Sequence, residues 1–163
     1  MALRSGYSRE EAKLELESIG IDSSILHCYQ QNHRYWHNWQ HIESMLIKAE
    51  YEFGLSTKLF LAIVFHDIVY DPLRSDNEIM SIEMLHKSFV GSMIYDPVLE
   101  EEIVNAILDT VSHIPRSKLA DDLCQLDLDI FNQGLSDLID FEHKIFKEHQ
   151  FVDALEKVPH SMY

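Results

Sequence analysis

The sequence predicts an all-α fold built as a single domain. Apolar residues recur with a period near 3.6 in one stretch after another, and residues that cap helices bound those stretches. Gly (5) and Pro (4) are scarce for 163 residues, which argues against a turn-rich β sandwich or a disordered chain. The length suits one domain, taken here as residues 1–163.

Ser8-Arg9-Glu10-Glu11 is a capping-box pattern, and the helix it opens runs to a stop at Gly20. Asp22 or Ser23 caps a second, short helix through about residue 31. After a polar join at 32–35, a third helix is expected over 36–53, with Ile42, Leu46, Ala49 and Phe53 as its apolar stripe and Gly54 as its stop. Ser56 or Thr57 caps a fourth helix through about Val69, closed by Pro72. Asp76 caps a fifth, reaching about Phe89. Asp96-Pro97 starts a sixth, with Pro in the first turn, that reaches Ile114 before Pro115. A seventh covers about 118–133 and ends at Gly134; an eighth covers about 136–150.

Charge and composition narrow the function. The net charge of −15 repels phosphate backbones, so duplex nucleic acid is not an expected partner. Cys28 and Cys124 stand far apart, with no metal-binding or redox spacing, as in a reducing compartment. The first residues lack the apolar core of a signal peptide, and the longest purely apolar run, Leu59 to Phe65, is seven residues. A cytoplasmic protein with no membrane segment is the expectation.

The unusual number is ten histidines. The fourth helix is apolar on every side and then presents His66-Asp67, so an imidazole and a carboxylate enter the centre of a bundle. Burying such a pair is costly unless each group is paired or holds a cation. His37 and His41, four apart in the expected third helix, share a face. His113 lies beside the apolar row of the sixth helix. Asp127 falls in the apolar stripe of the seventh, with Leu123 before it and Ile130 and Phe131 after; Asp129 belongs to the wetter side. Imidazoles and carboxylates converging from several helices are how bundles build metal sites. A mixed nitrogen and oxygen set suits Mn, Fe, Co, Ni or Zn, with Mg at an oxygen-rich position.

His41, His66-Asp67 and Asp127, in that order, resemble the H…HD…D pattern of the HD superfamily of metal-dependent phosphohydrolases. More closely, Arg34-Tyr-Trp-His-Asn-Trp-Gln-His-Ile42, Phe65-His-Asp-Ile-Val-Tyr-Asp-Pro72, Asp76-Asn-Glu78 and Leu126-Asp-Leu-Asp-Ile130 resemble a bacterial group of predicted HD phosphohydrolases. That group carries an RxYHNxxHI, FHDxVYDP, NExxSA and LDxDL series. The match spans roughly residues 30–150. Trp36 and Ile82 depart from the series, and the group continues past the point where this chain stops at Tyr163.

The resemblance implies an HD-domain helical bundle that binds a divalent metal ion through His41, His66, Asp67 and either Asp127 or Asp129. It also implies that Arg34, His37, Asp71, Glu78 and His113 line the site. The activity implied is hydrolysis of a nucleotide or other small phosphate ester by metal-activated water. Asp71, one turn beyond Asp67 on the same helical face, is then the expected proton acceptor or holder of a second cation, with Glu78 next. Arg34 is the expected phosphate clamp. Two other readings use the same core. One is a non-catalytic module that binds a nucleotide or other ligand. The other is a di-iron oxygenase, for which His86 and His113 would supply the added imidazoles.

Overall fold

Seven α-helices and two 3-10 segments make up residues 7–156, the part of the chain that the structure, a computed structural model, describes; side chains are described through residue 150. The helices are α1 (Arg9–Ser18), α2 (Trp39–Glu52), α3 (Thr57–His66), α4 (Asn77–Phe89), α5 (Pro97–Thr110), α6 (Lys118–Asp127) and α7 (Leu135–Glu156). The 3-10 segments cover Ser23–Gln30 and Leu128–Asn132. No strand occurs among the described residues, as an all-α fold requires.

The caps work as their residue types dictate. Ser8 and Glu11 form the reciprocal capping box of α1. Asn38, Ser56, Asp96 and Ser117 each accept a backbone N–H in the first turn of α2, α3, α5 and α6. Gly20 ends the first helical unit at φ +83°, a conformation that a β-carbon would strain, and one built there would also come 3.3 Å from the Met93 amide. Asp76 precedes α4 as expected, but its side chain caps nothing: both carboxylate oxygens are held by Arg74 at 2.7 Å.

α3 is the axis of the bundle. Every residue from Leu59 to His66 is buried, which explains why its sequence is apolar all round, and α2, α4, α5 and α6 pack against it.

Five helices have boundaries that differ from the sequence expectation, and in the first four the difference moves a site residue. α2 starts at Trp39, not residue 36, because the amides of Trp36 and His37 bond to a carboxylate from α7; His37 therefore precedes the helix. α3 ends at His66, not Val69, so Asp67 is its C-cap and Asp71 lies in the following turn. α5 ends at Thr110, not Ile114, and His113 sits in a loop at φ +52°, the left-handed region. α6 ends at Asp127 and tightens into the 3-10 segment that holds Asp129. α7 starts one residue before the expected 136 and runs past 150 to Glu156.

Candidate metal centre

The end of α3 brings the site together. His66, the last helical residue, is 2% exposed and aims its ring into the bundle. Its Nδ1 donates to the Ile63 carbonyl at 2.9 Å, which places the proton of the neutral ring on Nδ1 and turns Nε2 inward. Asp67 has left helical geometry (φ −117°, ψ 21°), so its carboxylate swings back to 3.0 Å from His66 Nε2. Consecutive side chains on a continuing helix diverge by about 100°. The C-cap position removes that divergence and lets both residues face one point.

α2 and α6 complete the group. His41 Nε2 stands 3.2 Å from Asp127 Oδ1 and 4.0 Å from Asp67 Oδ2. Asp127 Oδ1 is 3.6 Å from His66 Nε2, and His113 Nε2 lies 2.9 Å from the other Asp127 oxygen. One ligand atom from each of His41, His66, Asp67 and Asp127 lies within 4.8 Å of the others, so the four could hold a metal ion.

The chemistry of these donors fits a divalent cation. Two carboxylates and two neutral imidazoles carry charge −2, and two of the four side chains are almost fully out of water. His66 Nε2 is buried and makes no well-directed hydrogen bond, although Asp67 Oδ2 stands 3.0 Å away. A buried nitrogen whose hydrogen bonding is unmet carries a desolvation cost that a coordinated cation removes.

The electrostatics agree. Burial holds the His66 imidazolium down, but Asp67 and Asp127 outweigh burial and raise its pKa well above the ordinary histidine value. Burial pushes the other way on the acids. Even so, His66 brings Asp67 down to about 2, and His113, His41 and His66 hold Asp127 well below the usual carboxylate range. Without metal, the two carboxylates favour the protonated form of His66, while a ligand must be neutral. Metal binding should therefore release a proton wherever His66 holds one, and affinity should rise about tenfold per pH unit over that range. Calorimetric titration with Mn or Zn in two buffers of different ionisation enthalpy, repeated across a range of pH, measures the number released; zero release at every pH contradicts the assignment.

Of the two carboxylates left open by the sequence, Asp127 reaches the group. Asp129 turns to Lys48, with which it forms an ion pair, and accepts from Gln133 at 2.9 Å.

Three expected site residues take other roles. Arg34 does not present its guanidinium as a phosphate clamp. Nη1 donates to the carbonyls of His37 (3.1 Å) and Asp67 (2.7 Å), Nη2 to Ile68 O (2.9 Å), and Nε to Gln31 (2.8 Å). The carbonyls at a helix end need donors, and a rigid five-donor fork meets several at once. Asp71, no longer on a helix, accepts from the Leu73 amide at 2.9 Å in the turn around Pro72 and stands outside the four-residue group. Glu78 sits in the first turn of α4, where the helix dipole favours an acid, and is also outside the group. His86, needed for the di-iron reading, pairs with Glu100 at 2.7 Å and is largely exposed, also apart from the group.

His37 flanks the group. Its ring stacks on Tyr70 at 3.9 Å and lies 6.3 Å from that of His41. Its Nδ1 bonds to Glu148 at 2.8 Å, and the other oxygen of Glu148 accepts the amides of Trp36 (2.7 Å) and His37 (3.0 Å). Glu148, fully buried, was not singled out from the sequence. A signal existed: Leu138, Phe141, Ile145 and Glu148 form one row at helical spacing, so the acid continues the inward stripe of α7. Tyr29 was missed too; its hydroxyl donates to Val64 O at 2.8 Å and satisfies another carbonyl at the end of α3.

No family model matches the chain, and neither does any curated protein or solved structure.

Proposed function

We propose that this protein is an HD-type, metal-dependent phosphohydrolase of a small phosphate ester, using His41, His66, Asp67 and Asp127 as metal ligands. The observation that carries the reading is their convergence within 4.8 Å, with a buried imidazole nitrogen among them that makes no well-directed hydrogen bond. The ordered motifs around these residues support it. A divalent ion held there would lower the pKa of a bound water towards about 7 and neutralise charge on phosphoryl oxygens.

The chain's own part is positioning. Ile63 O fixes the ring of His66, and Arg34 fixes the carbonyl of Asp67, so both ligands of the α3 end are held from behind. His113 bonds to the outer oxygen of Asp127 and orients that carboxylate from the loop after α5. His37, held by Glu148, borders the same space. Phosphoryl transfer needs mostly placement and charge, so few further groups are required.

The test is a hydrolysis screen over nucleotides and simple phosphate esters with Mn, Co, Ni, Zn, Mg and Fe, with Asp67→Ala as the blank. Turnover should depend on added metal and vanish in the blank. A wild type that never exceeds the blank rules out the hydrolase and favours a binding module. Oxygen-dependent product with two irons per chain favours the oxygenase.

A further inference from the structure

The two imidazoles of the metal group are held differently. His66 is fixed from behind by Ile63 O. His41 bonds only through Nε2, on the side of Asp127, and among the described residues its Nδ1 has no hydrogen-bond partner. Rings flank it instead, Trp36 at 5.3 Å and His37 at 6.3 Å between centroids. Both of those residues precede α2, and both are held by α7. Glu148 Oε1 accepts the amides of Trp36 (2.7 Å) and His37 (3.0 Å), and Oε2 bonds to His37 Nδ1 (2.8 Å). The Trp36 ring meets Phe141 edge-on at 4.7 Å. Phe141 and Glu148 stand seven residues apart, about two turns, and so share one face of α7.

α7 stands outside the set of helices packed round α3; its close neighbour is the 3-10 segment Leu128–Asn132. Leu135, Ile139 and Phe146, three of its apolar residues, are more than half exposed. A helix seated on so little buried apolar surface opens at lower cost than the core does. Glu148 is the exception on it, a carboxylate with no exposed surface, costly to leave unpaired, whose donors lie at residues 36 and 37.

We infer that α7, with Glu148 as its positioning residue, sets His41 for the metal, so that docking of α7 and metal binding strengthen each other. The inference rests on the metal-centre reading and deepens it. When α7 lifts, the amides of Trp36 and His37 lose their acceptor and the Trp36 ring loses Phe141, so both rings beside His41 are released. His41 is the one member of the group that α2 supplies, and a loosened His41 leaves three. The coupling is reciprocal: the factor by which docked α7 tightens metal binding is the factor by which metal tightens the docking of α7.

The test is amide hydrogen exchange of the full chain with and without Mn alone, together with Mn titration. α1 is the internal reference, because it packs against the other 3-10 segment, Ser23–Gln30. Saturating Mn should slow exchange in α7 by about tenfold or more, and by more than in α1. In Asp67→Ala, which lacks a ligand, Mn should not slow α7. Glu148→Ala should bind Mn about 10–100-fold more weakly. Glu148→Gln keeps an oxygen for the two amides and should recover much of that affinity, which a loss of bulk packing would not predict. A wild type that binds Mn while α7 slows no more than α1 overturns the inference and leaves the metal centre standing. So does slowing of α7 that persists in Asp67→Ala, or a Glu148→Ala protein with wild-type affinity. If Glu148→Ala does not fold, the exchange comparison in the wild type decides by itself. A wild type that binds none of the divalent ions of the hydrolysis screen overturns both.

Discussion

Asp127→Ala should lose metal-dependent turnover by at least about a thousandfold, equivalent to about 4 kcal/mol of activation energy. It should also lose the rise in Tm that added metal gives the wild type. Asp127 is the common partner of three imidazoles, at 3.2 Å from His41, 3.6 Å from His66 and 2.9 Å from His113. Removing it leaves His66 buried with one carboxylate instead of two, so burial gains ground and its pKa falls. The metal-free variant should be less stable by about 3 kcal/mol at pH 7, the scale for breaking a buried charged cluster. The pH dependence follows from the depressed pKa of Asp127. Its contribution to wild-type stability is complete above the ordinary carboxylate pKa and is lost as pH falls through the folded value. The variant should therefore lose less stability than the wild type in acid. Asp129→Ala is the control: it removes a partly exposed ion pair with Lys48, should cost less than about 1 kcal/mol, and should keep the metal. Urea denaturation and metal analysis of both variants decide the matter. If Asp129→Ala loses the metal and Asp127→Ala keeps it, the centre is misassigned.

Periodicity favours Asp127 as the buried acid, because it shares the stripe of Leu123 and Asp129 does not, while the motifs leave either acid open. The all-round apolar run before His66 likewise placed that imidazole at the centre of the bundle, where it lies. What periodicity could not show was where helices stop. A 3.6-residue pattern continues formally past a helix end, so Asp71 looked coaxial with Asp67 and His113 looked like part of α5. The stops are set by distant groups: Glu148 draws off the amides before α2, and Arg34 takes the carbonyls after α3. Those partners lie 112 and 33 residues from the backbone they hold, a range at which local pattern carries no information. The errors are therefore concentrated at the helix ends that carry the site.

Arg34 offers the sharper contrast between a binding role and a positioning one. If its guanidinium served to clamp phosphate, Arg34→Ala would raise KM and leave folding intact. In the structure its side chain is 5% exposed, lies over Tyr29 at 5.2 Å, and donates to three carbonyls and Gln31. Truncation would leave those carbonyls buried without donors at about 1–3 kcal/mol each, so Arg34→Ala should lose about 4 kcal/mol or more of stability. Arg34→Lys should recover little of it, because one ammonium cannot span the carbonyls of His37, Asp67 and Ile68 with the geometry of the fork. Metal affinity should fall in both variants even where they remain folded, since the carbonyl of Asp67 loses its anchor and its carboxylate loses its fixed direction towards His66. Second-layer supports of this kind alter metal affinity by about 10–100-fold. Urea denaturation together with metal titration at low temperature separates the two roles. A stable Arg34→Ala protein with unchanged metal affinity and weakened phosphate binding restores the clamp; coupled losses of stability and metal make Arg34 the brace that sets the His66-Asp67 turn.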